Sequence, residues 1–303
     1  SAESVEEVQQ QITRQLGVSS YCQVLFADDD PCEVRVALQS QVNDFDAELL
    51  SAAEEGAEQV EELLRHFQNP NCVDEMERTP LLIASKAGHL DAVRCLLEAQ
   101  AEVNRSSAQG YTPVGVAAYR GDLEMLDCLV AAAADIEKAS LRGFTALHGA
   151  AHGNSAAVIG RLLEVRANLE RTTVRGKTAL CIASEKGFSE VVRCLLDAGA
   201  EVEGCYEPSS TKKTAPLLAA AEQGHVEVVD LLLQRQAEVN RSSSRGFTAL
   251  HAAAENGQVP VMHQLLAARA QLDCQGEGLT PLLSAVGNGH HEAVEVLLAA
   301  GAP

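Results

Sequence analysis

One sentence of sequence is written seven times in this chain. TPLLIASKAGHLDAVRCLLEAQAEVN, residues 79–104, returns in near-copy from Thr112, Thr145, Thr178, Ala215, Thr248 and Thr280, at spacings of 33, 33, 33, 37, 33 and 32 residues. A fixed period of this length marks a stacked array, because one such unit cannot bury its apolar face alone and must lean on its neighbours. Each copy opens on a threonine followed by proline or alanine. Threonine accepts a hydrogen bond from the first turn of a helix, and proline loses nothing at a position whose N–H has no intrahelical partner. A glycine (Gly88, Gly121, Gly187, Gly224, Gly257, Gly289) then stops the first helix. A second helix follows with a stripe such as Val93, Leu96 and Leu97, and a polar tip leads to the next threonine. The pattern predicts an all-α repeat solenoid of helix pairs joined by projecting tips.

Composition fits that picture. The chain is 46% hydrophobic but only 3% aromatic and has no tryptophan. Small residues must therefore fill the space between closely packed helices. No apolar run reaches the ~20 residues that a membrane helix needs, so membrane insertion is not expected. Nine cysteines without a C-x-x-C pair point to reduced thiols and a cytoplasmic, reducing compartment. The chain opens without methionine, which leaves room for an N-terminal targeting segment. A net charge of −20 argues against nucleic acid as the partner.

The copies resemble the ankyrin repeat family. Thr-Pro-Leu-Leu at Thr79 and Thr280 carries the resemblance, as does Thr-Ala-Leu-His at Thr145 and Thr248. So do Gly-His at Gly88, Gly224 and Gly289, and the ends Gly199-Ala200-Glu201-Val202 and Ala237-Glu238-Val239-Asn240. It covers residues 46–303: a degenerate capping repeat over 46–78, which lacks the Thr-Pro opening, then seven repeats, the last without its tip. The resemblance implies β-hairpin-like fingers standing off the helices and a role in binding other proteins. Two departures stand out. At the third copy Asn154 occupies the glycine position and Gly153 comes one residue early, a pattern that allows the turn to shift. The tip VEGCYEPSSTKK, 202–213, is four residues longer than its neighbours and offers Tyr206 and Cys205 as exposed groups.

Residues 1–40 read differently. Val5, Val8, Ile12 and Leu16 share a helical face ended by Gly17, and SYCQVLFADDDPCEVRVAL reads as two strands around an acidic turn. This small α+β segment resembles part of a ubiquitin-like domain without its opening hairpin. The alternative is a cap docked on the first repeat.

No catalytic motif emerges: the chain has no phosphate-binding G-x-x-x-x-G-K-[ST] loop and no G-x-S-x-G nucleophile turn. His148 and His152 stand four apart, but His148 holds the repeat's Thr-x-Leu-His position, as does His251, where a histidine satisfies turn backbone. Cys95, Cys128 and Cys194 share a column whose helix spacing of ~8–10 Å exceeds disulfide reach. No catalytic residue, metal site, cofactor or small-molecule substrate is therefore expected.

Binding residues are sought in the tips instead. Tips 103–111 and 136–144 carry +1 each, 169–177 and 239–247 carry +2 each, and 202–213 is neutral, while the outer tips 71–78 and 272–279 are −2. On so acidic a molecule this basic stripe would steer an acidic or phosphorylated protein segment. The alternative is that the cations pair along the array. The candidates are Arg105, Lys138, Arg142, Arg171, Arg175, Arg241 and Arg245, with Tyr206 in the long tip. Tyr111, Phe144 and Phe247 stand just before helix openings, and Tyr119 near a first-helix end. Arg120, His152 and Lys186, with Lys86 and Gln223, would line the first-helix face. Ser and Thr beside arginine in NRSS, ERTT and NRSSSRG offer sites where phosphorylation would cancel the stripe. The reading is a non-enzymatic adaptor or scaffold module. The alternatives are a regulatory arm of a larger enzyme and an architectural subunit of a large assembly.

Overall fold

A computed structural model describes residues 46–66, 69–204 and 215–303. The ubiquitin-like or capping segment, Tyr206 and Cys205 lie outside the described residues. Sixteen helices run through the described residues in eight pairs. In order they are α1 (46–55), α2 (Ala57–His66), α3 (Pro80–Ala87), α4 (Leu90–Glu98), α5 (Pro113–Arg120), α6 (Leu123–Ala131), α7 (Ala146–His152), α8 (Ala156–Glu164), α9 (Ala179–Lys186), α10 (Ser189–Asp197), α11 (Pro216–Gln223), α12 (Val226–Gln234), α13 (Ala249–Glu255), α14 (Val259–Ala267), α15 (Pro281–Gly287) and α16 (His291–Ala299).

The opening threonines act as caps. Thr79 Oγ1 accepts from Leu82 N, Thr178 Oγ1 from Cys181 N and Thr280 Oγ1 from Leu283 N. Such a cap stabilises a short helix by ~1 kcal/mol, which matters for helices of only two turns. In α7 and α13 histidine completes the cap: His148 Nδ1 accepts from Thr145 N, and His251 Nδ1 from Thr248 N. The first helices α3, α7, α9, α11 and α13 bury most of their residues. Leu81, Ala84, Leu147, Ala150, Leu180 and Ala183 are all at 2% exposure or less. The second helices bury one stripe, as Val158, Ile159 and Leu162 do in α8.

The chain divides into two compact units, residues 1–117 with 122–138, and 118–121 with 139–303. The core of the first gathers Leu49, Val60, Leu81, Val93, Leu96, Met125, Leu126 and Leu129. In the second, Leu147, Ile159, Leu162, Leu180, Leu195, Leu232, Leu250 and Leu265 line up repeat by repeat. There α7, α9, α11, α13 and α15 pack in sequence as one layer, and α8, α10, α12, α14 and α16 as another.

The turn at the third copy is not shifted. Asn154 takes the left-handed backbone at φ 58°, as glycine does at Gly187, φ 76°. Asparagine tolerates that region better than most residues. Gly153 is there for a different reason: a Cβ at this position would lie 1.9 Å from the carbonyl oxygen of Tyr119.

No β-strand forms among the described residues; the one β-bridge is Gly276 with Leu279. The fingers are turns closed by paired bonds, such as Ser140 N to Phe144 O and Gly143 N to Ser140 O. Single backbone bonds join neighbouring tips: Ala108 N to Met76 O in the first unit, and Val174 N to Arg142 O and Glu277 N to Arg245 O in the second.

Candidate functional site

The cations of the tips fall into two columns with different surroundings. Arg105, Lys138, Arg171 and Arg241 follow the Asn or Glu at the base of each tip, and three of them reach back along the array. In the first unit Arg105 Nη1 donates to Asn71 O at 3.1 Å and Lys138 Nζ to Asn104 O at 2.6 Å. In the second, Arg241 pairs with Glu203 at 3.2 Å. Arg171 lies beside His148, whose basicity burial lowers; the Arg171 backbone opposes that shift and its charge adds to it.

The residue at the base of several tips does parallel work with its side-chain oxygen. Asn71 Oδ1 accepts from Glu102 N, and Asn104 Oδ1 from Asp135 N. Glu170 Oε1 accepts from Glu201 N, and Asn240 Oδ1 from Gln271 N. The Asn-Arg and Glu-Arg dipeptides therefore fasten consecutive tips within each unit.

The second column sits at the outermost turn. Arg245 pairs with Glu277 at 3.1 Å. Arg142 and Arg175 are exposed, and their side chains make no hydrogen bond or ion pair among the described residues. Each follows an aliphatic side chain held out to solvent: Leu141 is 73% and Val174 74% exposed. The same turn position holds Ala108 and Ser244 elsewhere. An aliphatic residue at a tip where other copies carry a small one was the available signal for Leu141 and Val174, and sequence reasoning did not use it.

The hydroxyls of the tips have structural roles. Ser140 Oγ accepts from Phe144 N, Thr173 Oγ1 from Lys177 N and Ser243 Oγ from Phe247 N, while Ser107 Oγ accepts from Tyr111 N. A phosphate on any of these would open its turn. Among the serines and threonines of the described tip residues, Ser242 and Ser244 are the exposed ones.

On the first helices of the second unit an aromatic cluster forms. Tyr119, 52% exposed, stacks on His152 with ring centroids 5.4 Å apart. Phe144 touches both His152, at 6.5 Å, and His148, at 5.8 Å. Burial, and then the Lys186 ammonium, hold the His152 imidazole below the usual histidine range. Its buried Nδ1 has no hydrogen-bond partner among the described residues. Lys186 is exposed at the end of α9, and Arg120 at the end of α5. Phe247 is half-buried and packs on His251 at 5.2 Å, so its ring is part of the finger's support; Tyr111 is 45% exposed in the first unit.

His148 and His251 are closed to ligands. His148 bonds Thr145 through Nδ1 and donates from Nε2 to Lys177 O, while His251 bonds Thr248 and Leu279 O in the same way. Burial drives His148 down to about 4. Cys95, Cys128 and Cys194 are half-buried free thiols pushed up by burial, unsuited to nucleophilic work. Among the described residues no three His, Cys, Asp or Glu side chains converge as a metal site would require. No helix there is long and apolar enough to cross a membrane.

Comparison with known proteins agrees with this architecture. The family described as "Ankyrin repeats (3 copies)" matches residues 49–140, 115–205 and 217–303. Protein fem-1 homolog A-like of Mus musculus is 37% identical over 82 residues, 27% of this chain and 12% of that protein. Protein fem-1 homolog A of Rattus norvegicus is 38% identical over 66 residues, 22% of this chain and 10% of that protein. The chain thus spans about a tenth of the length of the curated relatives it matches. Among solved structures, the human ASB11 ankyrin repeat domain superposes with a TM-score of 0.67 at 26% identity, covering 75% of this chain and 99% of that one. The ankyrin repeat domain of Bcl-3, "a unique member of the IkappaB protein family", gives 0.60 at 28% identity, covering 73% and 98%.

Proposed function

Since the chain belongs to the ankyrin repeat family, we propose that it is a non-catalytic adaptor or scaffold module that holds a protein partner on the first-helix face of its second unit. The observation that carries this reading is the Tyr119–His152–Phe144 cluster beside Lys186. It is an aromatic platform with Tyr119 half out in solvent and an exposed ammonium at its edge. Aromatic side chains supply large contact area at little entropic cost and dominate binding hot spots. Tyr119 has no burial of its own to explain it, whereas Phe144 and Phe247 are accounted for by the histidines they cover. The pocket with converging titratable groups that an enzyme needs finds no counterpart on this face. Beside Tyr119 the cluster offers the exposed Lys186 and a His152 ring whose basicity burial lowers.

The test is co-purification from the source lysate with the 1–303 chain and with a Tyr119→Ala/Lys186→Glu variant, folding being verified by circular dichroism. A protein retained by the first and lost by the second is expected. Recovery of the same proteins by both would remove the first-helix face from the function.

A further inference from the structure

Two adjacent tips of the second unit differ from the other described tips in a way that the family's architecture does not require. Tip 140–144 presents Leu141 and Arg142, and tip 173–177 presents Val174 and Arg175. The aliphatic members are 73% and 74% exposed. Both arginines are exposed without a hydrogen-bonding or ion-pair partner among the described residues. The two tips are tied to each other by the bond from Val174 N to Arg142 O at 3.0 Å, and each turn is closed by its own pair of backbone bonds. Gly143 permits the close approach: a Cβ there would lie 2.8 Å from Thr173 Cα. The four side chains therefore stand on a fixed base. By contrast, Arg105, Lys138 and Arg241 are spent on neighbouring tips, and Arg245 is matched by Glu277.

We infer that Leu141, Arg142, Val174 and Arg175 form a docking patch for an extended, acidic segment of a protein partner, with carboxylates three residues apart and an aliphatic residue beside each. The inference rests on the protein-binding reading above and specifies the partner's chemistry at a second place on the same unit. Charge complementarity argues for the acid: two guanidinium groups without a partner among the described residues attract carboxylates locally on a chain of net charge −20. The spacing follows from the repeat. Equivalent residues of consecutive copies are one helix-packing step apart, ~8–10 Å. A polyproline-II segment rises ~3.1 Å per residue with three residues per turn, so positions i and i+3 fall ~9 Å apart on one face. Each guanidinium can take a carboxylate in a forked pair, while Leu141 and Val174 lose exposed apolar surface to the flanking aliphatic residues.

Fluorescence anisotropy with synthetic peptides tests this. The probe is a labelled peptide of about twelve residues in a proline–alanine–serine background, with glutamates at i and i+3 and a leucine beside each. Its controls replace both glutamates by glutamine, or place them side by side. Saturable binding of the probe alone is expected, weakening as salt rises from about 50 to about 300 mM. An Arg142→Glu/Arg175→Glu variant should bind about tenfold more weakly, and Leu141→Ser/Val174→Ser should also lose affinity. These side chains are exposed, so the fold should survive the changes, and thermal melting verifies it. No saturable binding by the unmodified chain overturns the inference, as does equal binding by the charge-reversed variant or equal binding of the glutamine control. If the peptide fails while co-purification still depends on Tyr119, this patch is excluded and the protein-binding reading stands.

Discussion

His148 illustrates what a single residue does in this array. Its imidazole caps its own helix through Thr145 and bridges to the next tip through Lys177 O, so both nitrogens are engaged in one tautomer. Protonation would put a donor where Nδ1 must accept, in a site that excludes water. Burial therefore holds the group down to about 4, against an ordinary value of 6.5. The linkage has a definite sign. Above pH 6.5 the folded and unfolded chains both carry the neutral ring and the stability is fully present. Between pH 6.5 and about 4 the unfolded chain takes up a proton that the folded chain refuses, so stability falls as pH falls. The full shift is worth about 3 kcal/mol. Urea unfolding at pH 7, 5.5 and 4.5 should show the His148→Gln variant less stable than the parent at pH 7. That gap should narrow or reverse by pH 4.5, because glutamine cannot titrate. Parallel pH curves for the two proteins would show that this histidine contributes nothing to acid sensitivity.

At the scale of the element, the tips explain both what could be read from the residue string and what could not. The helix pairs were legible because threonine caps, small buried residues and glycine stops recur with a fixed period, and each is a local rule. That Asn154 would keep the turn in place was less visible, since an asparagine in the left-handed region must be judged against Gly153, whose absent side chain serves the Tyr119 carbonyl instead. The basic stripe was legible as charge and illegible as geometry. Arg105 and Arg142 look alike in a count, but the first reaches Asn71 in the neighbouring tip and the second reaches no one among the described residues. A bond 34 residues away in sequence leaves no local mark. This division gives a prediction. Arg105→Ala and Lys138→Ala each remove one charged donor from a carbonyl, and each should cost about 1–2 kcal/mol in urea unfolding. Arg142→Ala and Arg175→Ala should stay within about 0.5 kcal/mol. Equal costs for the two groups would mean that the reach-back bonds do not hold in solution.

For the molecule as a whole, local and global electrostatics act in opposite directions. The chain carries 43 acidic against 23 Lys and Arg residues, and this surplus repels itself in the folded state. The surface ion pairs offset it only weakly: Arg94–Asp91, Arg161–Glu164 and Arg193–Glu190 are largely exposed contacts within single helices. Salt at ~0.15 M shortens the Debye length to ~8 Å and screens repulsion between distant helices more than attraction inside a contact. Folding stability should therefore rise with sodium chloride, with the thermal midpoint climbing about 2–4 °C for each kcal/mol of relieved repulsion. Binding of an acidic segment to Arg142 and Arg175 should weaken over the same range, since that attraction is itself screened. Scanning calorimetry and peptide anisotropy on one salt series would separate the two effects. A midpoint that falls as salt is added would mean that the exposed pairs outweigh the repulsion of the acidic surplus.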